Sequence, residues 1–146
     1  MLKLLNILTW YTSKKAYLAP YTEDEAAKKA ATKLWNAIDN SNLILVIGMI
    51  LLTIFIGWGY FYPFNQRPGR HYHPKYWGIW GGIATVLTFF STFIVCYFNA
   101  KNPSFDYALL AKVSAINALY SIPVYLIITL TINKLGNSNA YPIFLR

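Results

Sequence analysis

Three stretches of this sequence, residues 43–62, 76–98 and 113–132, contain no Lys, Arg, Asp, Glu or His. The first is twenty residues long, about 30 Å as an α-helix, which matches the thickness of a bilayer's hydrocarbon core. Runs this long and this apolar cannot be covered by a small soluble fold. Hydrophobic residues make up 56% of the 146-residue chain and charged residues only 12%, against about 25% charged in soluble domains. The charge to coat a soluble surface is missing. The expected fold is therefore all-α and membrane-embedded, with three transmembrane helices preceded by an N-terminal amphipathic, interfacial helical segment.

The flanks divide the chain into an interfacial segment over 1–42, a three-helix transmembrane domain over 43–135, and a short tail over 136–146. Near the start, Leu4, Leu5, Leu8 and Tyr11 can share one helical face. Lys14 and Lys15 interrupt that apolar stretch and no Ala-x-Ala site follows, so it reads as interfacial and not as a secretory signal. Residues 22–39 carry a helix pattern: Ala26/Ala27, Ala30/Ala31, Leu34/Trp35 and Ile38 recur opposite Lys28, Lys29 and Thr32. Thr22 and Glu25 have the spacing of a capping box, and Glu25 can pair with Lys29. Such a helix is expected to lie on a membrane or pack on a neighbouring subunit, or to be only an amphipathic collar that leads into the first span. Asp39-Asn40-Ser41-Asn42 reads as a break before the first span.

Trp58, Tyr60, Phe61 and Tyr62 form an aromatic belt at the end of that span, and Pro63 is expected to stop it. The second span opens on Tyr76, Trp77 and Trp80. The short loop before it predicts an antiparallel hairpin. The third helix is expected to begin near Phe105 with Ser104 as N-cap, and to stop at Lys134 and Gly136.

Net charge is +8. The cations border the apolar runs, and no nucleic-acid motif accompanies them. Anionic lipid headgroups, or the acidic rim of a partner, are the expected contacts of Lys28, Lys29, Lys33, Arg67, Arg70 and Lys75; nucleic acid is not an expected partner. The N-terminal segment and second loop together carry eight Lys/Arg, and the first loop and tail carry five. That imbalance places the N-terminus on the cytoplasmic or equivalent side, although residues close to the spans divide five against five. The lone Cys96 lies deep in the second run and reads as a small packing residue.

Inside the runs the chemistry is mild. Gly78, Gly81, Gly82, Thr85, Thr88 and Thr92 recur along one side of the second span, either as a helix-packing face or as the lining of a pore. Asn117 is the strongest intramembrane hydrogen-bonding side chain of the third helix, and Pro123 should kink that helix or loosen its ladder. His71 and His73 in the first loop could begin a metal site, but no cysteine or carboxylate lies in that loop to complete it. No nucleophile–base pair, phosphate loop or intramembrane ionisable group is present, so neither enzyme activity nor coupled transport is expected, and no cofactor. Three functions fit: a non-catalytic subunit of an oligomeric or multi-protein membrane assembly, a homo-oligomeric pore or membrane-permeabilising effector, and a small immunity-type protein that blocks a toxin.

Overall fold

The computed structural model describes residues 13–64, 74–100 and 106–135. Every element among them is helical: α1 (Lys14–Leu18) runs into a 3-10 turn (Ala19–Tyr21), followed by α2 (Glu25–Gly59), α3 (Pro74–Asn99) and α4 (Tyr107–Leu135). Three of these helices are long and apolar enough to cross a membrane, Glu25–Phe64, Lys75–Asn99 and Tyr107–Ile132. The apolar start at Leu4–Tyr11, the loop bearing Arg67, Arg70, His71 and His73, and the positions of Ser104 and Gly136 lie outside the described residues.

The expected break at residues 39–42 does not form. One helix of 35 residues runs through it, because the polar side chains there do not compete with the backbone for hydrogen bonds. Ser41 Oγ donates to the Ala37 carbonyl one turn back and accepts from Asn99 Nδ2, each at 2.7 Å. Ser41 and Asn42 are both buried. The amphipathic pattern over 22–39 is thus the first part of the first long helix. Its apolar stripe, Ala31, Leu34, Trp35 and Ile38, is at most 3% exposed and packs within this chain, which fits a collar that leads into the first span.

The capping box is also corrected. Asp24 Oδ1 accepts from the Ala26 and Ala27 amides at 2.8 and 3.1 Å, which makes Asp24 the N-cap of α2. Thr22 instead donates from Oγ1 to the Ala19 carbonyl inside the preceding turn. The Glu25–Lys29 pair does form, at 3.9 Å, but both side chains are more than 80% exposed, so it contributes little. At the other end Pro63 does not stop the chain's helical winding. Tyr60–Phe64 form a π-helical turn that contains Pro63, a widening that accommodates a residue with no amide donor.

α3 begins at Pro74, where a missing N–H is harmless, and Ala100 N closes its end on the Cys96 carbonyl. α4 starts at Tyr107, later than expected, because Asp106 supplies the cap: its Oδ1 accepts from the Leu109 amide at 3.0 Å. α4 is continuous through Pro123.

Packing divides the described residues into two units, one drawn from Met1–Ile47 and Phe89–Asn117, the other from Gly48–Thr88 and Ala118–Arg146. In the first, the buried set comprises the α2 stripe with Leu45, Cys96, Leu110 and Val113. In the second, Ile56, Tyr60, Phe61, Trp77, Ala84 and Tyr125 form the core. The expected aromatic belt is therefore mixed. Tyr60 and Phe61 turn inward, whereas Trp58 is 49% and Tyr62 36% exposed.

Asp24→Ala should lower stability by about 1 kcal/mol and raise amide exchange at Ala26 and Ala27. Thr22→Ala should leave both unchanged, which hydrogen exchange by mass spectrometry in detergent can distinguish.

Candidate functional site

Hydroxyl groups in an apolar helix must find acceptors, and here most find them one turn back on their own backbone. Thr53 donates to Met49, Thr85 to Gly81, Ser114 to Leu110 and Thr129 to Tyr125, all within 3.0 Å. These side chains are thereby satisfied without water.

Asn117 does more. In the first unit its Nδ2 donates to Thr92 Oγ1 at 2.8 Å and to the Leu45 carbonyl at 3.4 Å. One amide therefore ties α4 to both α3 and α2. The side chain is 1% exposed, so these bonds form away from any solvent. Its Oδ1 accepts no hydrogen bond among the described residues, nor does the buried Asn42 Oδ1.

The glycine/threonine face of α3 separates into two parts. Thr88 and Thr92 are at most 2% exposed and turned into their own chain. In the second unit Thr85 accepts from Ser121 Oγ at 3.4 Å. A Cβ built on Gly81 would lie 3.0 Å from Tyr125 Cε1, so the missing side chain lets that ring approach the α3 backbone. Tyr125 also donates from its hydroxyl to the Trp77 carbonyl at 3.1 Å. Gly78 and Gly82 behave differently. Both are exposed, and a Cβ on either would meet nothing within 4 Å. They floor an apolar cleft of about 410 Å³ flanked by Val86, Ile122 and Leu126. Pro123 is exposed and takes no part in that cleft.

A second concavity is polar. A groove of about 750 Å³ in the first unit is lined by Lys28, Lys29, Lys33, Asn36, Asn40 and Asn99, among others. Lys14 Nζ reaches the same helix face and donates to Asn36 Oδ1 at 2.8 Å. Sequence reasoning named the three lysines but missed the asparagines: the expected break at 39–42 had placed Asn40 outside any helix, and nothing in local spacing links Asn99 to this face. Lys75 Nζ lies 5.2 Å from the Tyr76 ring centroid. Among the described residues no group of three His, Cys, Asp or Glu could hold a metal ion.

The first unit is also clasped through Tyr17 of α1. Its hydroxyl donates to Asp106 Oδ2 at 2.7 Å, and its ring lies 5.3 Å from that of Trp35. Burial first, and then this bond to a carboxylate, raise the Tyr17 hydroxyl well above the ordinary tyrosine value of 10. No protein family, curated protein or solved structure matches this chain.

Asn117→Leu should weaken the fold by about 1 kcal/mol, the typical worth of an interhelical hydrogen bond among apolar helices, read as unfolding in mixed micelles. The Tyr17 clasp has a defined pH sign. A folded-state value raised above 10 gives stabilisation that is complete below that pH and is lost as pH climbs beyond it. Thermal melts from pH 8 to 11 should therefore fall more steeply for the native chain than for Tyr17→Phe.

Proposed function

We propose that this chain is a multi-pass integral membrane protein and a non-catalytic subunit of an oligomeric or multi-protein membrane assembly. The membrane part is supported by the outer faces of the three long helices. Leu51, Phe55, Phe90, Phe98 and Ile127 are each more than half exposed, and water would not tolerate so much apolar surface on a monomer. Lipid would.

The observation that carries the assembly reading is the open glycine floor at Gly78 and Gly82. Lipid chains gain nothing from a backbone laid bare, whereas a second helix gains close van der Waals approach. Gly81 shows the same device used within the chain, with Tyr125 as the packed partner. The cleft at Gly78 and Gly82 is the same kind of surface without its partner helix. Thr88 and Thr92, two of the threonines a pore would need, are buried inside their own chain, which favours the assembly reading over the pore.

Gly82→Leu tests this directly. A side chain there meets open space, so the variant should keep its helicity and melting behaviour while losing its place in the assembly. Blue-native electrophoresis or mass photometry in mild detergent should show the native chain in a particle larger than one copy, and Gly82→Leu as a monomer. A native chain that migrates as a single copy with no co-purifying protein would overturn the assembly reading. Release of the chain by alkaline carbonate would overturn the membrane reading.

A further inference from the structure

We propose that the polar groove along the first part of α2 binds the phosphate of an anionic phospholipid headgroup, an inference that rests on the membrane reading above. The groove comes from helix periodicity. Glu25, Lys28/Lys29, Thr32/Lys33, Asn36 and Asn40 line it and recur every three or four residues, so they form one stripe. The apolar stripe of Ala31, Leu34, Trp35 and Ile38 is buried on another face of the same helix. Asn99, at the end of α3, contributes to the wall.

The charge in this groove is unbalanced. Its one acid is Glu25, which lies 3.9 Å from Lys29. Among the described residues no carboxylate lies within ion-pair distance of Lys28 or Lys33. Lys14 adds a fourth ammonium at Asn36. Because Asn36 accepts that bond through Oδ1, its amide N–H donors remain for an anion. Ammonium groups with amide donors suit a phosphate monoanion, and about 750 Å³ is within the usual range of ligand sites.

Depth selects the source of the phosphate. The exposed apolar side chains of α2 begin at Leu43 and Ile44, 59% and 63% accessible. At a rise of 1.5 Å per residue, Asn40 lies only about 4.5 Å before Leu43, and Asn36 about 10 Å. The headgroup layer on each side of a bilayer is roughly 5–8 Å thick. Asn40 therefore sits at phosphate level, and Asn36 lies just above it. Lys33, about 15 Å before Leu43, has a stem long enough to reach down, whereas Lys28 and Lys29, roughly 21–22 Å before Leu43, lie outside that layer.

The test uses the full chain reconstituted in nanodiscs containing phosphatidylglycerol and phosphatidylcholine, with lipid retention read by native mass spectrometry. Phosphatidylglycerol should be retained over phosphatidylcholine. Lys33→Gln should weaken that retention about fivefold, the worth of one lysine near the bilayer surface. Lys15→Gln, the same charge change outside the groove, should alter it less than twofold. Asn36→Leu keeps every charge and should still lower retention, which separates a site from general attraction to an anionic surface. Equal loss in Lys15→Gln, or full retention in Lys33→Gln or in Asn36→Leu, would overturn the site. Displacement of the lipid by millimolar inorganic phosphate would overturn the lipid source in favour of a soluble anion. A native chain that fails to enter nanodiscs at all would instead overturn the membrane reading, so the two failures are distinguishable.

Discussion

A polar atom enclosed by apolar helices has no water to fall back on, and the placement of nearly every Ser, Thr and Asn in the long helices follows from that. Isolated hydroxyls are handled locally, by donation to a carbonyl three or four residues back, as in Thr53, Ser114 and Thr129. This solution ties each side chain to its own helix and costs the bundle nothing in specificity. Asn117 cannot be handled that way, because a carboxamide has more donors than one carbonyl accepts. It reaches across to Thr92 and Leu45. Leucine or valine side chains would pack equally well in several rotational settings, whereas this amide fits one. It fixes which faces of α2, α3 and α4 meet in the first unit.

The same physics explains what the sequence made legible. Three helical spans follow from charge-free length alone, and the structure contains three helices of that kind. Their edges were harder to read, because a polar cluster such as Asp39-Asn40-Ser41-Asn42 has the same composition whether it caps a new helix or decorates an existing one. The difference lies in the tertiary partner: Ser41 is held by Asn99, 58 residues away in sequence. Local spacing could not reveal that. The choice of cap was a closer contest. Thr22 and Asp24 are both good N-caps, but the 3-10 turn at Ala19–Tyr21 occupies the Thr22 hydroxyl and passes the role to Asp24.

The Gly/Thr face of α3 shows where a sequence motif stops being informative. Spacing identifies Gly78, Gly81, Gly82, Thr85, Thr88 and Thr92 as one small-residue surface. It does not say how much of that surface the chain consumes itself. Folding takes up Gly81 under Tyr125 and buries Thr88 and Thr92. The remainder, Gly78 and Gly82, is what a partner could use.

Continuity of α2 changes the meaning of the basic N-terminal segment. As a separate interfacial helix, its lysines would answer only to the bilayer surface. As the leading part of a helix that becomes the first apolar span, they are held at a fixed height above Leu43 and on a fixed face. The Tyr17–Asp106 clasp and the tilted contact of the Tyr17 ring with Trp35 reinforce this, because they bind α1 to the start of α4 and to α2 and so restrain Lys14 beside Asn36. A lysine restrained in this way pays its side-chain entropy on folding and not on binding. That is the physical difference between a headgroup site and a basic patch. It arises here because a helix expected to end at Asp39 does not.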